Sequence, residues 1–297
     1  MKKSADISEN ILDILVYAII ILVVIITIYP FWNIFIVSIN DAADTVRGGL
    51  YLLPRKLSIA SYNTIITDAE FMRSLNITVL RTVIGTPLAI LVTAMLAYVL
   101  SKRDLFGRKF ISLLFIFTMY FGGGLIPYYM ILKSIHLIDN FWVYIFPNLV
   151  SVFNMLLIKA YIESMPAEIF ESSKIDGAND LIIFFKIVLP LSTPVLATVG
   201  LFVAIMQWNS WFDSYVFTSS PGLKTMQAVL VKILNQYQTG NMVSASQSMS
   251  NAARRSTVTP DSIRMAATMV STIPIIMVYP FVQKYFVKGI MVGAIKD

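Results

Sequence analysis

Six long apolar blocks, separated by polar segments of unequal length, set the plan of this 297-residue chain: Ile11–Ile39, Ile77–Leu100, Phe110–Leu132, Phe141–Tyr161, Leu191–Phe217 and Ile263–Phe286. Each is long enough to cross ~30 Å of hydrocarbon as a helix rising ~1.5 Å per residue. Lipid offers no partner to a bare backbone amide, and membrane strands would show a weaker ten-residue alternation, so the blocks predict helices. The pattern predicts an all-α polytopic membrane protein with six transmembrane helices. Pro30, Pro87, Pro127, Pro147, Pro194, Pro274 and Pro280 lie in or beside the blocks. They predict kinked helices around a pathway, or are ordinary proline usage in membrane helices.

The polar segments orient the blocks. Lys2 and Lys3 precede the first block as they would in a signal peptide, but the apolar run is far longer than a signal core and no small-residue cleavage pattern follows it. It reads as a retained span. Lys102, Arg103, Arg108 and Lys109 crowd the short segment between spans two and three. Basic residues in short loops stay inside, so that segment is expected in the cytoplasm, together with both termini and the polar loop around Glu171. The long segments Asn40–Asn76 and Thr218–Ser262 are expected outside. They carry Arg47, Arg55, Lys56, Arg254 and Arg255, but long loops count less in the rule. Ser244–Pro260, rich in small polar residues, reads as mobile or partner-contacting.

Composition narrows the chemistry. The chain is 57% hydrophobic and 13% charged, with a mean hydropathy of +0.74, far from a soluble domain. It has no cysteine, which excludes disulfides and thiolate sites. The net charge of +6 suits basic cytoplasmic loops and is not read as nucleic-acid binding. His136, the single histidine, reads as a surface residue, and no cluster has metal-ligand or nucleophile–base spacing. There is no Gly-x-x-x-x-Gly-Lys-Ser/Thr loop, so the chain is not itself expected to hydrolyse nucleotide. Gly122-Gly123-Gly124 lacks a following Lys-Ser/Thr and reads as bent backbone or helix packing rather than a phosphate cradle.

The polar stretch Glu171-Ser172-Ser173-Lys174-Ile175-Asp176-Gly177-Ala178, followed later by Leu189-Pro190, is the strongest local signal. Pro166 fits the first turn of a helix running to about Asp176. Gly177 permits a conformation that a Cβ would forbid. Asp180 can cap a second short helix that must yield at Pro190. The result is an elbow parallel to the membrane, with Ile169, Phe170 and Ile175 as apolar contacts. It either inserts into a groove on a partner or packs beneath its own bundle.

Glu171-Ser-Ser, Gly177 and Ile187-Val188-Leu189-Pro190 resemble the "EAA" loop of ABC-importer permeases: Glu-Ala-Ala, three residues, Gly, nine residues, Ile-x-Leu-Pro. Every spacing is kept, and serines stand where alanines are usual. The tail Tyr285–Lys296 and the segment Trp208-Asn209-x-Trp211 are similar to the maltose-type, carbohydrate-uptake branch. Phe121–Tyr129 and the long segment before the last span look like its complex-oligosaccharide subgroup. The resemblance covers about Asn76 to Asp297 and implies a type I ABC importer permease fold. It divides the chain into an N-terminal span with its outer segment (residues 1–75), a permease core (76–286) and a cytoplasmic tail (287–297). It implies that Glu171, Ser172, Ser173, Asp176, Gly177, Ala178, Leu189 and Pro190 form a cytoplasmic coupling loop. It also implies a second homologous permease subunit, two ATP-binding subunits that use ATP and Mg, an extracytoplasmic solute-binding protein, and no cofactor on this chain.

Sugars are recognised by aromatic faces and by polar side chains. Candidates for a carbohydrate pathway are Tyr128, Tyr129, Asn154, Trp208, Asn209, Trp211 and Asp213. The bland readings are an interfacial aromatic belt for Trp211 and Tyr215, and a helix-joining hydrogen bond for Asn154. Asp213 is an acid in an apolar span, at a cost of ~2.5–3.5 kcal/mol unless it lies near the interface. The alternatives to an importer are an ion-coupled carrier, a membrane enzyme and a scaffold. The carrier would place charges within several spans, and the spans read as almost free of charge.

Overall fold

The computed structural model describes residues 2–49, 52–244 and 258–294. Most of the Ser/Thr-rich stretch expected at 244–260, and the last three residues of the expected tail, lie outside the described residues. The helices are α1 (Lys2–Ser38), α2 (Ala42–Thr45), α3 (Ala60–Thr67), α4 (Ala69–Ser101), α5 (Arg108–Tyr120), α6 (Leu125–Ser134), α7 (Val152–Glu163), α8 (Ala167–Ile175), α9 (Asp180–Ile183), α10 (Leu189–Leu191), α11 (Thr193–Asn209), α12 (Phe212–Phe217), α13 (Met226–Ser244) and α14 (Pro260–Ala294). Among the described residues the only β-pairing is an isolated bridge between Asn40 and Leu57. The described residues are thus all-helical, and the apolar helices mark an integral membrane protein.

Three described segments cross-qualify as single spans by length and composition: Ile11–Ser38, Ala69–Ser101 and Asp261–Val278. Three further candidate spans are bent helix pairs, the last of which begins ahead of the expected block Leu191–Phe217. Arg108–Tyr120 and Leu125–Ser134 meet at 115°, Phe141–Asn148 and Val152–Glu163 at 45°, and Asp180–Leu191 and Thr193–Asn209 at 80°. The expectation of a continuous helix over Phe110–Leu132 therefore fails at Phe121–Gly124, where Gly124 takes a φ of +84°. Three glycines remove the Cβ atoms that hold a chain helical, so apolar character survives there while the helix does not. The expected helix over Phe141–Tyr161 begins instead as two 3₁₀ turns, Phe141–Tyr144 and Phe146–Asn148, before α7. The block Leu191–Phe217 also divides, at Ser210 and Trp211, between α11 and α12.

The chain forms two units: residues up to Asp68 with Lys232–Thr272, and Ala69–Val231 with the residues from Ile273 onward. In the second unit α4 is the central rod. Its buried Ala89, Ala94 and Ala97 pack with Met155, Ile158 and Ile162 of α7, with Val199 and Val203 of α11, and with Ile183, Phe184 and Val188. Small side chains on a central helix let neighbouring backbones approach closely, which is how helices pack without a hydrophobic drive between them. At Gly85 the approach is close: a Cβ there would stand 2.9 Å from Nε2 of Gln207.

In the first unit, the apolar window of α1 has no buried residues, so its surface is free to face lipid or a partner. A polar knot follows it. The Asn40 amide donates to Asp44 Oδ2 at 3.1 Å and to Thr45 Oγ1 at 3.0 Å, and its carbonyl accepts the N–H groups of Arg55 and Lys56, both at 2.9 Å. The Asn40 amide and the Arg55 guanidinium hold the Asp44 carboxyl below the ordinary carboxylate range.

Candidate functional site

The elbow is built by local backbone chemistry. Pro166 sits at the N-cap of α8 rather than within its first turn, which holds Glu168. At the other end Asp176 is the C-cap, and Gly177 follows with φ +78°. The Ala178 N–H donates to the Ser173 carbonyl at 3.0 Å and the Gly177 N–H to the Lys174 carbonyl at 3.1 Å. This is a Schellman closure, which satisfies two of the orphan carbonyls of α8 and turns the chain sharply. Asn179, not Asp180, then caps α9: its side chain accepts the Ile182 N–H at 2.9 Å. Asp180 is instead the first helical residue and pairs with Lys102. The chain does not stop at Pro190. A π turn, Phe184–Val188, in which the Leu189 N–H reaches the Phe184 carbonyl, widens the helix ahead of the proline, and the break falls at Ser192. A widened turn carries the preceding carbonyl away from the pyrrolidine ring, so proline is accommodated.

The surface of the elbow is mixed. Glu171, Ser172, Asp176 and Pro190 are exposed, Ala178 and Leu189 pack partly against the core, and Ser173 is buried with its hydroxyl donating to the Ile169 carbonyl at 2.6 Å. Glu171 and Lys174 line one wall of a cleft of about 580 Å³, and Lys102, Arg103, Asp104 and Arg108 line another. The two polar loops that are far apart in the chain thus share one cavity. Arg108 pairs with Glu163, its Nε–H also reaches the Leu100 carbonyl at 2.8 Å, and the Lys102 ammonium lies 4.9 Å from the Tyr98 ring centre. Asp180 is largely exposed, so the Lys102 pair alone is worth no more than about 1 kcal/mol; the joint is held by several such contacts together.

A second polar cluster lies inside the bundle. Arg81 of α4, 1% exposed, donates to both carboxylate oxygens of Asp213, at 3.1 and 2.6 Å, and through Nε to Gln207 at 2.9 Å. Its guanidinium carbon stands 4.5 Å from the Tyr144 ring centre. Gln207 donates onward to the Tyr144 carbonyl at 3.2 Å, and the Tyr144 hydroxyl donates to the Leu223 carbonyl at 2.6 Å. Asp213 also accepts from the Ser210 hydroxyl at 2.9 Å and the Ser214 N–H at 2.8 Å. A bidentate pair with satisfied neighbours is the arrangement that offsets the desolvation of two charges. The spans, expected to be almost free of charge, thus hold a buried ion pair. Arg81 was missed, though the signal existed: one cation and one anion in separate apolar segments are most cheaply buried together.

Of the pathway candidates, Tyr128 and Asp213 meet in a pocket of about 240 Å³ that also takes in Arg81, Asn148 and Ser210. The lining of that pocket does not include Tyr129, Asn154, Trp208, Asn209 or Trp211. Tyr129 is half-buried, its ring centre 6.2 Å from that of Phe217. Asn154 is buried in the first turn of α7, where its N–H meets the Ser151 hydroxyl at 3.4 Å. Trp208 is half-buried; Asn209 is exposed and accepts from Gln227 at 3.3 Å; Trp211 is exposed beside Phe212 and Tyr215. Among the described residues no group of acidic or histidine side chains could hold a metal.

No family model matches the chain. It is 36% identical over 290 residues, 97% of its length and 99% of the relative's, to a polygalacturonan/rhamnogalacturonan transport system permease protein of Bacillus subtilis (strain 168). Its fold matches a chain of a bacterial ABC transporter involved in the import of the acidic polysaccharide alginate, with a TM-score of 0.83, 30% identity and coverage of 94% of this chain and 98% of that one. A chain from the bacterial alginate ABC transporter in complex with an alginate pentasaccharide-bound periplasmic protein matches at a TM-score of 0.56 and 14% identity, over 91% and 93%, and shares the fold. The breaks, elbow and buried pair described above thus sit on a known transporter scaffold, and the chain belongs to the carbohydrate-importing family of ABC transporter permeases.

Proposed function

We propose that this chain forms half of a saccharide pathway whose opening is driven from a partner through the elbow at Glu171–Pro190. The observation that carries the reading is the closure at Gly177: two short helices locked at a sharp angle by backbone hydrogen bonds, presenting Glu171, Ser172, Asp176 and the neighbouring Lys174 to solvent. A rigid elbow transmits a push that a loose loop would absorb. The basic segment Lys102–Lys109 supports a cytoplasmic position for that face, for both termini and for the tail 287–297, and the three bent pairs support six spans in all. The partners are then a second homologous permease, two ATP-binding subunits that consume ATP and Mg, a solute-binding protein outside, and lipid around the bundle. The permease core of residues 76–286 alternates its opening about a site near the membrane midplane. The saccharides named for the relatives support an oligosaccharide cargo. Tyr128, Asp213, Trp208, Asn209 and Trp211 are the side chains of the proposed pathway, with Tyr129 and Asn154 supporting them from the packed layer.

The experiment is Gly177→Pro in the assembled transporter. Proline fixes φ near −65°, which the +78° at this position forbids. The variant is expected to insert and assemble but to lose both uptake and the stimulation of ATP hydrolysis by loaded solute-binding protein. An assembled variant that keeps both removes the elbow from the mechanism.

A further inference from the structure

The two most exposed large apolar side chains among the described residues are Phe106, at 97%, and Ile175, at 86%. They lie far apart in the chain, yet each adjoins residues that line the same 580 Å³ cleft: Asp104 and Arg108 beside Phe106, Lys174 beside Ile175. The exposure of Phe106 is built in. Gly107, with φ +73°, turns the chain as the N-cap of α5, and Arg108 on the next position is tied to Glu163 and to the Leu100 carbonyl. Lys102 ties the near end of the loop to Asp180, the first residue after the elbow's turn. Loop and elbow therefore share a cleft and an ion pair.

We infer that the Lys102–Lys109 loop, with Phe106 at its tip, is a second contact surface for the ATP-binding subunit, engaged together with the elbow. This rests on the reading of the elbow given above. A phenyl ring held clear of its own protein suits a socket in a partner, since a buried aromatic anchor is the usual centre of a protein interface. The tie to the elbow favours the elbow's partner over lipid: the two loops share one cleft and the Lys102–Asp180 pair, and Asp104, two positions from Phe106, is costly to draw towards hydrocarbon. Arg103 and Lys109 are exposed and form no ion pair among the described residues, so the socket should carry an acidic rim.

The test places photoreactive benzoylphenylalanine at 106 or at 175, one at a time, in the complete assembly in lipid vesicles. Adducts to the ATP-binding subunit from both positions are expected. An adduct from 175 with only lipid adducts from 106 overturns the second contact and leaves the elbow standing. No adduct to the ATP-binding subunit from either position overturns the elbow reading and the inference with it. As an independent measurement, Phe106→Ala should weaken rebinding of the ATP-binding subunit to the membrane subunits by about tenfold. Unchanged rebinding counts against the contact.

Discussion

Arg81 is the residue on which the most depends. Its charge is buried in the middle of α4 and is tolerable only because Asp213, Gln207 and the Tyr144 ring surround it. Asp213→Asn would leave that charge without its counter-ion, at an expected cost of about 3–5 kcal/mol, read as the shift in unfolding midpoint of the purified protein. Arg81→Met combined with Asp213→Asn should cost clearly less than the two single changes added together, because the second substitution removes nothing the first has not already broken. Strict additivity would mean that the pair is not coupled. At the far loop, Asp139 accepts from the Ser219 N–H, the Ser220 N–H and the Ser220 hydroxyl, and these bonds hold its carboxyl below the ordinary range, the Ser220 hydroxyl contributing most. A depressed folded-state value means the stabilisation is complete above the unfolded value of about 3.9 and is lost as pH falls through the folded one. The difference in melting temperature between the wild type and Asp139→Asn should therefore be constant above about pH 5 and narrow below about pH 4.

Among the elements, the elbow and the α4–α11 contact depend on glycine for opposite reasons. At Gly177 an added Cβ would meet nothing within 4 Å, so the requirement is purely conformational. Gly177→Ala should cost about 1–2 kcal/mol in stability, the penalty for a left-handed L-residue, without disturbing neighbours. At Gly85 the space is already filled by the Gln207 amide, 2.9 Å from where a Cβ would lie. Gly85→Ala should cost about 1–3 kcal/mol by overpacking, and should also loosen the Arg81 network by displacing Gln207. Crystallography or proton chemical shifts at Gln207 would distinguish the two mechanisms, since only the Gly85 variant should move it. The broken spans follow the same logic. At Gly122–Gly124 the helix breaks where composition alone reads as continuous apolar segment.

For the molecule as a whole, the absence of cysteine makes orientation directly measurable. A single cysteine at Ile175 should react with a membrane-impermeant maleimide in inside-out vesicles only, and one at Leu53 in right-side-out vesicles only. The reverse pattern would invert the proposed topology. The pathway can be probed at the same scale. Alanine at both Trp208 and Asn209 should lower saccharide uptake by about tenfold, from the loss of an aromatic face worth about 1.4 kcal/mol, while leaving assembly intact. Unchanged transport kinetics would remove both from the pathway.

The sequence by itself determined the membrane environment and the turn chemistry of the elbow. Apolar blocks of membrane length, the basic segment Lys102–Lys109 and the spacing from Glu171 to Pro190 are one-dimensional properties, because lipid thickness, loop charge and turn chemistry all act locally along the chain. The left-handed turn at Gly177 was legible for the same reason: it depends on a missing Cβ. Tertiary structure alone decided what meets what. Arg81 and Asp213 are 132 positions apart, and only the packing of α4 beside α11, with the turn from α11 into α12, brings them to 2.6 Å. Asn179 rather than Asp180 supplies the cap, and Asp180 pairs with Lys102, distant in the chain. The pocket that gathers Tyr128 and Asp213 but leaves out Trp208 and Asn209, and the cleft that joins two separate loops, likewise follow from where helices cross, and the order of residues along the chain carries no record of that.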